Sequence, residues 1–254
     1  MKFGFLSTID SPILPYFLHF AKLYSIEDII VIIDSKITSE KNKLIWQQRT
    51  GGSLFKGENI ERSIYGKTSI DIPFMLVKSH NGDECTNLIS KYKVDCLVNA
   101  GTPRKLDSGI LDSVQGGVVN IHPGILPKYR GCSAVEWSIY NDDQVGNTAH
   151  FMSLDYDHGP VIDTEVYSFP RTATYQDIRR NVFENGCKML GRVLANIENR
   201  TMNPLLASIQ DETFAQFWEP IPQNIMNAML EKISLGKYKY QLNQPSINLD
   251  DTKN

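Results

Sequence analysis

The sequence predicts an α/β protein with a mostly parallel, twisted, Rossmann-like sheet that is flanked by helices. Apolar runs of strand length alternate along the chain with amphipathic stretches of helix length, and this alternation is typical of parallel sheets whose crossovers are helices. The chain has 254 residues, enough for one large domain and a short appendage. Hydrophobic residues make up 41% and charged residues 22%, a composition that allows a packed core.

Short apolar runs bounded by polar or turn-forming residues predict the strands. The last two runs are joined by a short loop at Tyr156–Pro160, which predicts that they pair in antiparallel fashion. In chain order the predicted strands are Lys2–Ser7, Asp28–Asp34, Phe74–Lys78, Cys96–Ala100, Gly117–His122, Thr148–Leu154 and Val161–Ser168.

Between these strands apolar residues recur with helical spacing, as Cys85, Leu88, Ile89 and Tyr92 do. Residues that favour helix N-termini precede several of these stretches, and Thr174 is one of them. The predicted helices are Ile13–Tyr24, Glu40–Gln48, Asp83–Tyr92, Ser108–Val114, Ala134–Asn141 and Tyr175–Ile197.

The alternating pattern ends at Asn203-Pro204, which divides the chain into a predicted catalytic domain, residues 1–202, and a short C-terminal extension, residues 203–254. Prolines punctuate the extension, and its last residues, 248–254, are expected to be frayed. Within the first domain, residues 51–70 are expected to form a loop or a small excursion.

Composition argues against several classes of partner. The net charge of −3 leaves no basic excess for a nucleic-acid backbone. No apolar run approaches the roughly 20 residues of a membrane span, and residues 1–7 are too short for a signal peptide. We therefore expect a cytoplasmic protein that binds neither nucleic acid nor membrane.

Cysteine and glycine spacing argues against a metal or a redox nucleotide. No C-x-x-C pair is present, which disfavours structural zinc and favours a reducing cytosol. No G-x-G-x-x-G follows the first strand. The four cysteines are Cys85, Cys96, Cys132 and Cys187.

The segment from Asn120 to Gly131 carries the strongest functional signal. Asn120 and His122 lie two residues apart at the end of an apolar run, so in a strand their side chains point to the same side. The Pro- and Gly-rich loop that follows places them at the carboxyl end of the strand, where open α/β sheets bind ligands. About 30 residues later, His150 and Asp157 add an imidazole and a carboxylate.

An amide donor, an imidazole and a carboxylate can move protons around a tetrahedral intermediate. Each residue also has a structural interpretation. Asn120 and His122 can satisfy a strand end, Asp157 can cap a turn, and His150 can be a core histidine bonded to a neighbour.

The motifs resemble those of the formyltransferases that use 10-formyltetrahydrofolate, which carry Asn-x-His-Pro-[Ser/Gly]-Leu-Leu-Pro-x-x-x-Gly and a later Asp-x-Gly-Pro. The resemblance is clear over about residues 95–165 and loose over residues 1–95, with Ile125 in place of a leucine. The matching residues are Asn120, His122, Pro123, Leu126, Pro127, Gly131, His150, Asp157, Gly159 and Pro160.

The resemblance implies a role for each matching polar residue. Asn120 would hold the formyl oxygen, and His122 would act as the general base or proton shuttle. Asp157 would orient the histidine and a water that relays protons, and His150 would support them. Gly131 would allow a turn where a side chain would obstruct the pocket.

The resemblance also implies the folate contacts and a Leu126–Pro127 bond that is often cis in the family. The segment after the fourth strand resembles the one that holds the pterin ring. The implied contacts are Ala100, Gly101, Pro103, Arg104, Leu106, Pro123 and Gly159.

Three acceptors distinguish branches of this family. Glycinamide ribonucleotide enzymes have a glycine-containing phosphate turn after the first strand, whereas residues 7–12 contain none. Methionyl-tRNA enzymes carry a basic C-terminal barrel. The run from Tyr129 to Asp143 resembles the third branch, which formylates nucleotide-linked amino-deoxysugars for surface polysaccharides such as the O-antigen of lipopolysaccharide.

We therefore expect a sugar N-formyltransferase. The alternatives are the other two acceptors, a formyl-folate hydrolase and a non-catalytic folate-binding protein. The sequence leaves open the sugar, the base, the position of the amine, the role of residues 203–254 and whether the chain forms a homodimer.

Overall fold

A computed structural model describes residues 1–56 and 72–243. The helices within these ranges are α1 (Leu14–Leu23), α2 (Glu40–Thr50), α3 (Asp83–Tyr92), α4 (Ser108–Leu111), α5 (Ala134–Tyr140), α6 (Tyr175–Glu198) and α7 (Gln223–Ser234). The strands are β1 (Phe3–Thr8), β2 (Ile29–Asp34), β3 (Phe74–Val77), β4 (Cys96–Asn99), β5 (Val118–His122), β6 (Arg130–Gly131), β7 (Val145–Phe151), β8 (Val161–Tyr167), β9 (Phe169–Pro170), β10 (Phe217–Trp218) and β11 (Gln241–Leu242).

A seven-stranded sheet forms the centre of the molecule, in the order β3-β2-β1-β4-β5-β7-β8. Its first five strands are parallel, whereas β7 pairs antiparallel with both β5 and β8. The predicted Rossmann-like sheet and the antiparallel pairing of its last two strands are therefore confirmed. The strand order reverses at β1, and such a reversal opens a crevice at the carboxyl ends of the strands.

The central strands are buried on both faces. Phe5 and Val31 pack on one face with α1 and α6, while Leu6, Ile30 and Ile32 pack on the other with α3 and α4. Because successive side chains of a strand point to opposite faces, the unbroken apolar sequences of β1 and β2 supply both layers. A third apolar cluster joins α5, α6 and α7 beside the end of β8.

The predicted strands agree with the structure to within about one residue at each end, except for β7. β7 begins at Val145, three residues before the predicted Thr148. The polar residue within this extension is Asn147, whose Nδ2 donates to the hydroxyl of Tyr167 and to the carbonyl of Val182. Because both partners are buried with it, a polar side chain is accommodated in a fully buried strand.

Two helices also differ in length. α4 ends at Leu111 rather than Val114, because the amide and the hydroxyl of Ser113 both donate to the carbonyl of Ile110 and close a turn. α2 continues to Thr50 and ends at Gly51, whose φ of +70° is the left-handed conformation that commonly terminates helices.

Residues 203–243 contact the preceding part of the chain through two short strand pairs that are separate from the seven-stranded sheet. β10 pairs with β6, and β11 pairs with β9. The division of the chain at residue 202 remains a prediction. Residues 57–70 of the expected excursion and the expected frayed end at 248–254 lie outside the described residues. Within the described ranges, no helix has the length and apolar character to cross a membrane.

Candidate active site

Asn120 and His150 face each other across the β5–β7 pair. The Nδ2 of Asn99, at the end of neighbouring β4, donates to Asn120 Oδ1 at 2.9 Å. The amide of Asn120 is thereby oriented so that its Nδ2 lies 3.0 Å from His150 Nε2. Carboxyl ends of adjacent parallel strands meet at one edge of a sheet, which brings the two asparagines together.

His150 accepts this hydrogen bond as a neutral imidazole. Its Nδ1 lies 3.0 Å from the carbonyl of Phe151, which can only accept, so Nδ1 carries the proton and Nε2 is free to accept from Asn120. Burial lowers the pKa of His150 to about 4, and the nearby Asp157 carboxylate only partly offsets that effect. His150 therefore orients the Asn120 amide without adding charge at neutral pH.

His122 is buried and is held through both ring nitrogens. Its Nε2 donates to the carbonyl of Tyr129 at 2.6 Å, in the loop that follows β5. Its Nδ1 lies 3.4 Å from Asp157 Oδ1. Because a carboxylate and an unprotonated nitrogen repel each other, this contact is attractive when a proton lies between the two atoms. Nδ1 is thus the nitrogen that can exchange a proton in the site.

Asp157 lies at the centre of this cluster. Its Oδ2 accepts from the backbone N–H of Gly131 at 2.8 Å, while Oδ1 faces His122 and lies 3.7 Å from His150 Nε2. Its φ of +60° is unusual for a residue with a side chain. The structure therefore brings Asn120, His122, His150 and Asp157 together, as the motif spacing predicts, while their chemical roles remain predictions.

Two glycines allow the loops around Asp157 to approach each other. Gly131 has a φ of +88°, and a Cβ there would lie 2.5 Å from the carbonyl of Trp218. The space beside Gly131 is therefore occupied by Trp218 backbone rather than by the pocket, which differs from the sequence interpretation. At Gly159 a Cβ would collide with the carbonyl of Phe151. The Leu126–Pro127 bond is cis.

Two cavities meet at Asn120. The smaller one has a volume of about 290 Å³ and lies beside His150 and Asp157. The predicted folate contacts Pro103, Arg104 and Leu106 line it. Gly101 and Pro123 instead line the larger cavity, Ala100 is fully buried, and Gly159 packs against Phe151.

The guanidinium of Arg104 is held by a buried carboxylate. Its Nε donates to Asp34 Oδ2 at 2.7 Å and its Nη2 to Asp34 Oδ1 at 3.0 Å. The backbone amides of Lys36 and His80 also donate to Asp34. Burial alone would raise the pKa of Asp34, but the hydrogen bonds from Arg104 and the amides outweigh it and lower the pKa. Arg104 is thus held in the wall of the smaller cavity by Asp34. Its contact with folate remains a prediction.

The larger cavity has a volume of about 630 Å³ and extends from Asn120 toward α2 and α6. Trp46 and Phe183 lie in its wall with ring centroids 5.0 Å apart. Among its described lining residues, the only ones with a charged side chain are Lys36 and Arg49. This cavity is therefore suited to a ligand that carries an anionic group and an apolar or aromatic face.

A buried ion cluster fixes Arg49. Its Nε lies 3.2 Å from Glu136 Oε1, which also accepts from the hydroxyl of Tyr175 at 2.5 Å and lies 3.7 Å from Arg179 Nε. Burial would raise the pKa of Glu136, but Arg179 and Arg49 outweigh it and lower the pKa. With two arginines around one carboxylate, the cluster carries a net positive charge next to the cavity.

Sequence reasoning missed several of these residues. Asn99 ends the strand beside β5, a position that parallel-sheet geometry could have identified. Arg49, Trp46 and Phe183 come from helices far apart in the chain, and their sequence surroundings carry no signal. Among the described residues, no group of three or more His, Cys, Asp or Glu side chains is arranged to hold a metal, and the expected absence of a metal remains a prediction.

Comparison with known proteins identifies the family. The formyl transferase family model matches residues 25–194. The chain belongs to the formyl transferase family. This result confirms the resemblance found in the motifs.

The proteins that are similar to this chain have different acceptors in their names. A methionyl-tRNA formyltransferase from Trichodesmium erythraeum (strain IMS101) is 30% identical over 142 residues, which are 56% of this chain and 41% of that protein. The chain thus spans less than half the length of that relative. A sugar N-formyltransferase from Shewanella sp. FDAARGOS_354 superposes with a TM-score of 0.61 at 14% identity, covering 92% of this chain and 88% of the other.

A third similar protein, found by its structure, has another substrate in its name. Glycinamide ribonucleotide transformylase 1 from Symbiobacterium toebii superposes with a TM-score of 0.58 at 17% identity, over 83% of this chain and 94% of the other. At these identities the structural matches show the shared fold alone. The side chains that line the cavities of this protein therefore determine which acceptor it can bind.

Proposed function

We propose that this formyl transferase moves the formyl group of 10-formyltetrahydrofolate to the amino group of a nucleotide-linked amino-deoxysugar, as a step in making surface polysaccharide. The observation that carries the proposal is that Asn120 lines two cavities of different character. One lies beside the proton-transfer cluster, and the other has cationic and aromatic walls.

The smaller cavity supports binding of the folate. Its walls combine the apolar side chains of Leu106 and Met152 with polar groups, including Thr102 and Lys105. Flat heterocycles bind in such clefts, where a few polar groups fix their orientation. A pterin there would place the N10 formyl group next to Asn120, at the junction with the second cavity.

The chemistry then follows from the positions of three side chains. The neutral amine of the acceptor attacks the formyl carbon, and Asn120 Nδ2 donates to the oxygen as negative charge develops on it. The amine loses a proton, which His122 and Asp157 accept and relay. The bond between N10 and the formyl carbon then breaks, N10 gains a proton, and tetrahydrofolate and the formamide product are released.

The larger cavity supports an acceptor with a diphosphate and a base. Arg49, fixed by Glu136, and Lys36 present positive charge to it, and the Trp46–Phe183 pair offers a surface for stacking. Binding of the nucleotide in this cavity, away from the reacting carbon, would hold the sugar amine in reach of the formyl group.

The loop after β1 disfavours glycinamide ribonucleotide. Asp10 lies in this loop, and both of its carboxylate oxygens accept from the amide of Thr38 at 3.0 and 3.2 Å. Burial would raise the pKa of Asp10, but these hydrogen bonds with Thr38 outweigh it and lower the pKa. The carboxylate is therefore ionised at neutral pH and would repel a phosphate bound at this turn.

Methionyl-tRNA is the second candidate acceptor, because relatives that bear this function in their names match the chain in sequence. Among the described residues that line the larger cavity, only Lys36 and Arg49 carry a positive charge, whereas proteins that bind nucleic acid present extended basic surfaces. The amino-sugar nucleotide is the better match to a compact cavity with two cations.

An acceptor screen tests the proposal. The purified protein is incubated with 10-formyltetrahydrofolate and a panel of 3-amino and 4-amino deoxysugars linked to nucleoside diphosphates, and products are detected by mass. We expect a gain of one formyl group on at least one sugar nucleotide, with release of an equal amount of tetrahydrofolate. Binding of folate without any product would instead support a non-catalytic protein, and release of formate would support a hydrolase.

A further inference from the structure

Gln210, in the segment after the catalytic sheet, contacts the Asp157 loop directly. Its Nε2 donates to the carbonyls of Asp157 and Gly159, both at 2.7 Å. These carbonyls lie on either side of His158, so the amide of Gln210 bridges two points of the loop that carries the Asp157 carboxylate. Gln210 is only 7% exposed, and buried hydrogen bonds of this length are costly to lose.

Arg130 fixes the orientation of this amide. Its Nε and Nη2 donate to Gln210 Oε1 at 3.1 and 2.8 Å. The two hydrogens and two lone pairs of the glutamine side chain are thus all used. If the amide were flipped, its NH₂ group would face the donors of Arg130 and its oxygen would face the two carbonyls. Nη1 of Arg130 also donates to His158 Nε2 at 3.1 Å, in the same loop.

The exposed end of this network is Glu212. Its carboxylate accepts from Arg130 Nη2 at 2.6 Å and from Nη1 at 2.9 Å. Arg130 is 2% exposed, so Glu212 balances a buried charge that would otherwise be expensive. The network therefore runs from the surface through Arg130 and Gln210 to the backbone of Asp157.

The same segment also holds the second loop of the site. We define residues 208–218 as the strap. The amide of Arg130 donates to the carbonyl of Gln216, and the amide of Gln216 donates to the carbonyl of Pro127, both at 3.1 Å. At the start of the strap, Ser208 and Val161 exchange backbone hydrogen bonds at 2.7 and 2.8 Å. The strap thus connects the loop that holds His122 Nε2 with the loop that holds Asp157.

The backbone of Asp157 needs such support. A φ of +60° is sparsely populated for residues other than glycine and persists when the surrounding contacts determine it. Without Gln210 the loop can relax toward common backbone angles, which would move Oδ1 away from His122 Nδ1. A displacement of about 1 Å in a reacting group can lower the rate a hundredfold.

We infer that Gln210, oriented by Arg130, is a positioning residue that fixes Asp157 against His122 for formyl transfer. The inference rests on the proposed chemistry of the Asn120 site, but it does not depend on which acceptor the protein uses. The strap would thus align two loops, and the nearer of them ends at Gly159, 51 residues before Gln210 in the chain.

A pair of matched variants tests the inference. Gln210→Met keeps the side-chain volume and removes the amide. Gln241→Met is the control, because Gln241 is similarly buried, at 5% exposure, and its side-chain Nε2 donates to the carbonyls of Arg171, Ala173 and Ile233, away from the Asp157 loop. We expect Gln210→Met to lower kcat by roughly ten- to a hundredfold, with little change in the KM for the folate or in the KM for the acceptor. Gln241→Met should retain kcat.

A spectroscopic measurement separates positioning from general loss of structure. The chain has five histidines, so the ¹⁵N resonances of His122 can be assigned. We expect the Nδ1 resonance of His122 to move in Gln210→Met and to stay in place in Gln241→Met, without any substrate present. Unchanged kcat and an unchanged Nδ1 resonance in a folded Gln210→Met protein would overturn the inference, as would an equal loss of kcat in both variants.

A second variant covers the case in which Gln210→Met does not fold. Glu212 is exposed, so Glu212→Ala is expected to fold, to loosen Arg130, and to lower kcat about two- to fivefold with a smaller shift of the same resonance. No change in either measurement would contradict the inference. An inactive wild-type protein with a Gln210-dependent His122 resonance would instead count against the proposed function alone.

Discussion

Asn120 and His150 are joined across the β5–β7 pair by a 3.0 Å contact between Nδ2 and Nε2. Both ends of this chain of hydrogen bonds have a fixed direction. The backbone amides of Gly101 and Thr102 donate to Asn99 Oδ1, so Asn99 Nδ2 is the donor to Asn120, and the carbonyl of Phe151 can only accept. The amide that is proposed to stabilise the formyl oxygen is therefore oriented before any ligand binds. Preorganised donors of this kind are the most effective source of oxyanion stabilisation.

The buried His150 predicts a pH dependence of stability. Its pKa falls from 6.5 in a model peptide to about 4 in the folded protein, so the unfolded chain binds more protons between these values. The contribution of neutral His150 to the free energy of unfolding is therefore fully present above about pH 6.5 and decreases as the pH falls toward 4. His80, whose pKa burial also lowers, acts in the same direction.

The measurement compares thermal unfolding of the wild type and of His150→Gln at pH 7 and pH 5. The glutamine oxygen can accept from Asn120 but does not titrate, so the variant is expected to lose less stability between the two pH values. Equal losses in the two proteins would show that His150 does not carry this dependence.

Asn120→Ala is expected to lower kcat by roughly a hundredfold or more, because loss of one positioned donor to a developing oxyanion typically has that effect. His122→Ala should have a similar effect through loss of proton transfer. Steady-state kinetics at saturating donor and acceptor provide the measurement. Asn87→Ala, on the exposed side of α3, is the control and should retain activity. Near wild-type turnover in both site variants would refute the assignment.

Asp157→Asn tests the charge that faces His122. The asparagine can still accept from the amide of Gly131, so the loop is expected to keep its fold, while the carboxylate that pairs with Nδ1 is lost. We expect kcat to fall by roughly a hundredfold, with KM for the folate little changed. Asp163→Asn, on the exposed side of β8, serves as the control. A wild-type kcat for Asp157→Asn would mean that the carboxylate acts only as a structural acceptor.

Arg49→Met tests the acceptor cavity. Loss of one charge-assisted contact to a phosphate is worth about 1.5–3 kcal/mol, so KM for the sugar nucleotide should rise about tenfold or more. KM for 10-formyltetrahydrofolate should not change, because Arg49 lines only the larger of the two cavities. Lys91→Met, on the exposed side of α3, is the control. An equal rise in both KM values would contradict the assignment of the two cavities.

Much of the fold follows from local sequence. The apolar runs of β1, β2 and β5 and the spacing within α3 and α6 determine these elements with few alternatives, since both faces of the central strands must be apolar. The sequence predicts that β7 begins three residues later than it does, because Asn147 is polar and its partners come from other elements. A local sequence pattern cannot show that a polar side chain in a buried strand finds hydrogen-bond partners in other elements.

Part of the candidate site could likewise be predicted from the sequence, and part could not. Asn120 and His122 share one strand, and the Asp157 loop follows the strand that pairs with it, so motif and periodicity together predict their convergence. Trp46 and Phe183 meet only because α2 packs on α6, and Gln210 reaches Asp157 only through the path of the strap. These contacts depend on long-range packing, which spacing along the chain does not encode.

A competition experiment tests the central proposal most directly. One reaction contains limiting 10-formyltetrahydrofolate with a ¹³C-labelled formyl carbon, together with equal amounts of a nucleotide-linked amino-deoxysugar, glycinamide ribonucleotide and methionyl-tRNA. The initial distribution of label reports the ratio of the three kcat/KM values. We expect the label to appear first on the sugar amine, and to appear there far more slowly with Arg49→Met. Label that appears first on glycinamide ribonucleotide or on methionyl-tRNA would contradict the proposed acceptor, even if Asn120, His122 and Asp157 prove essential.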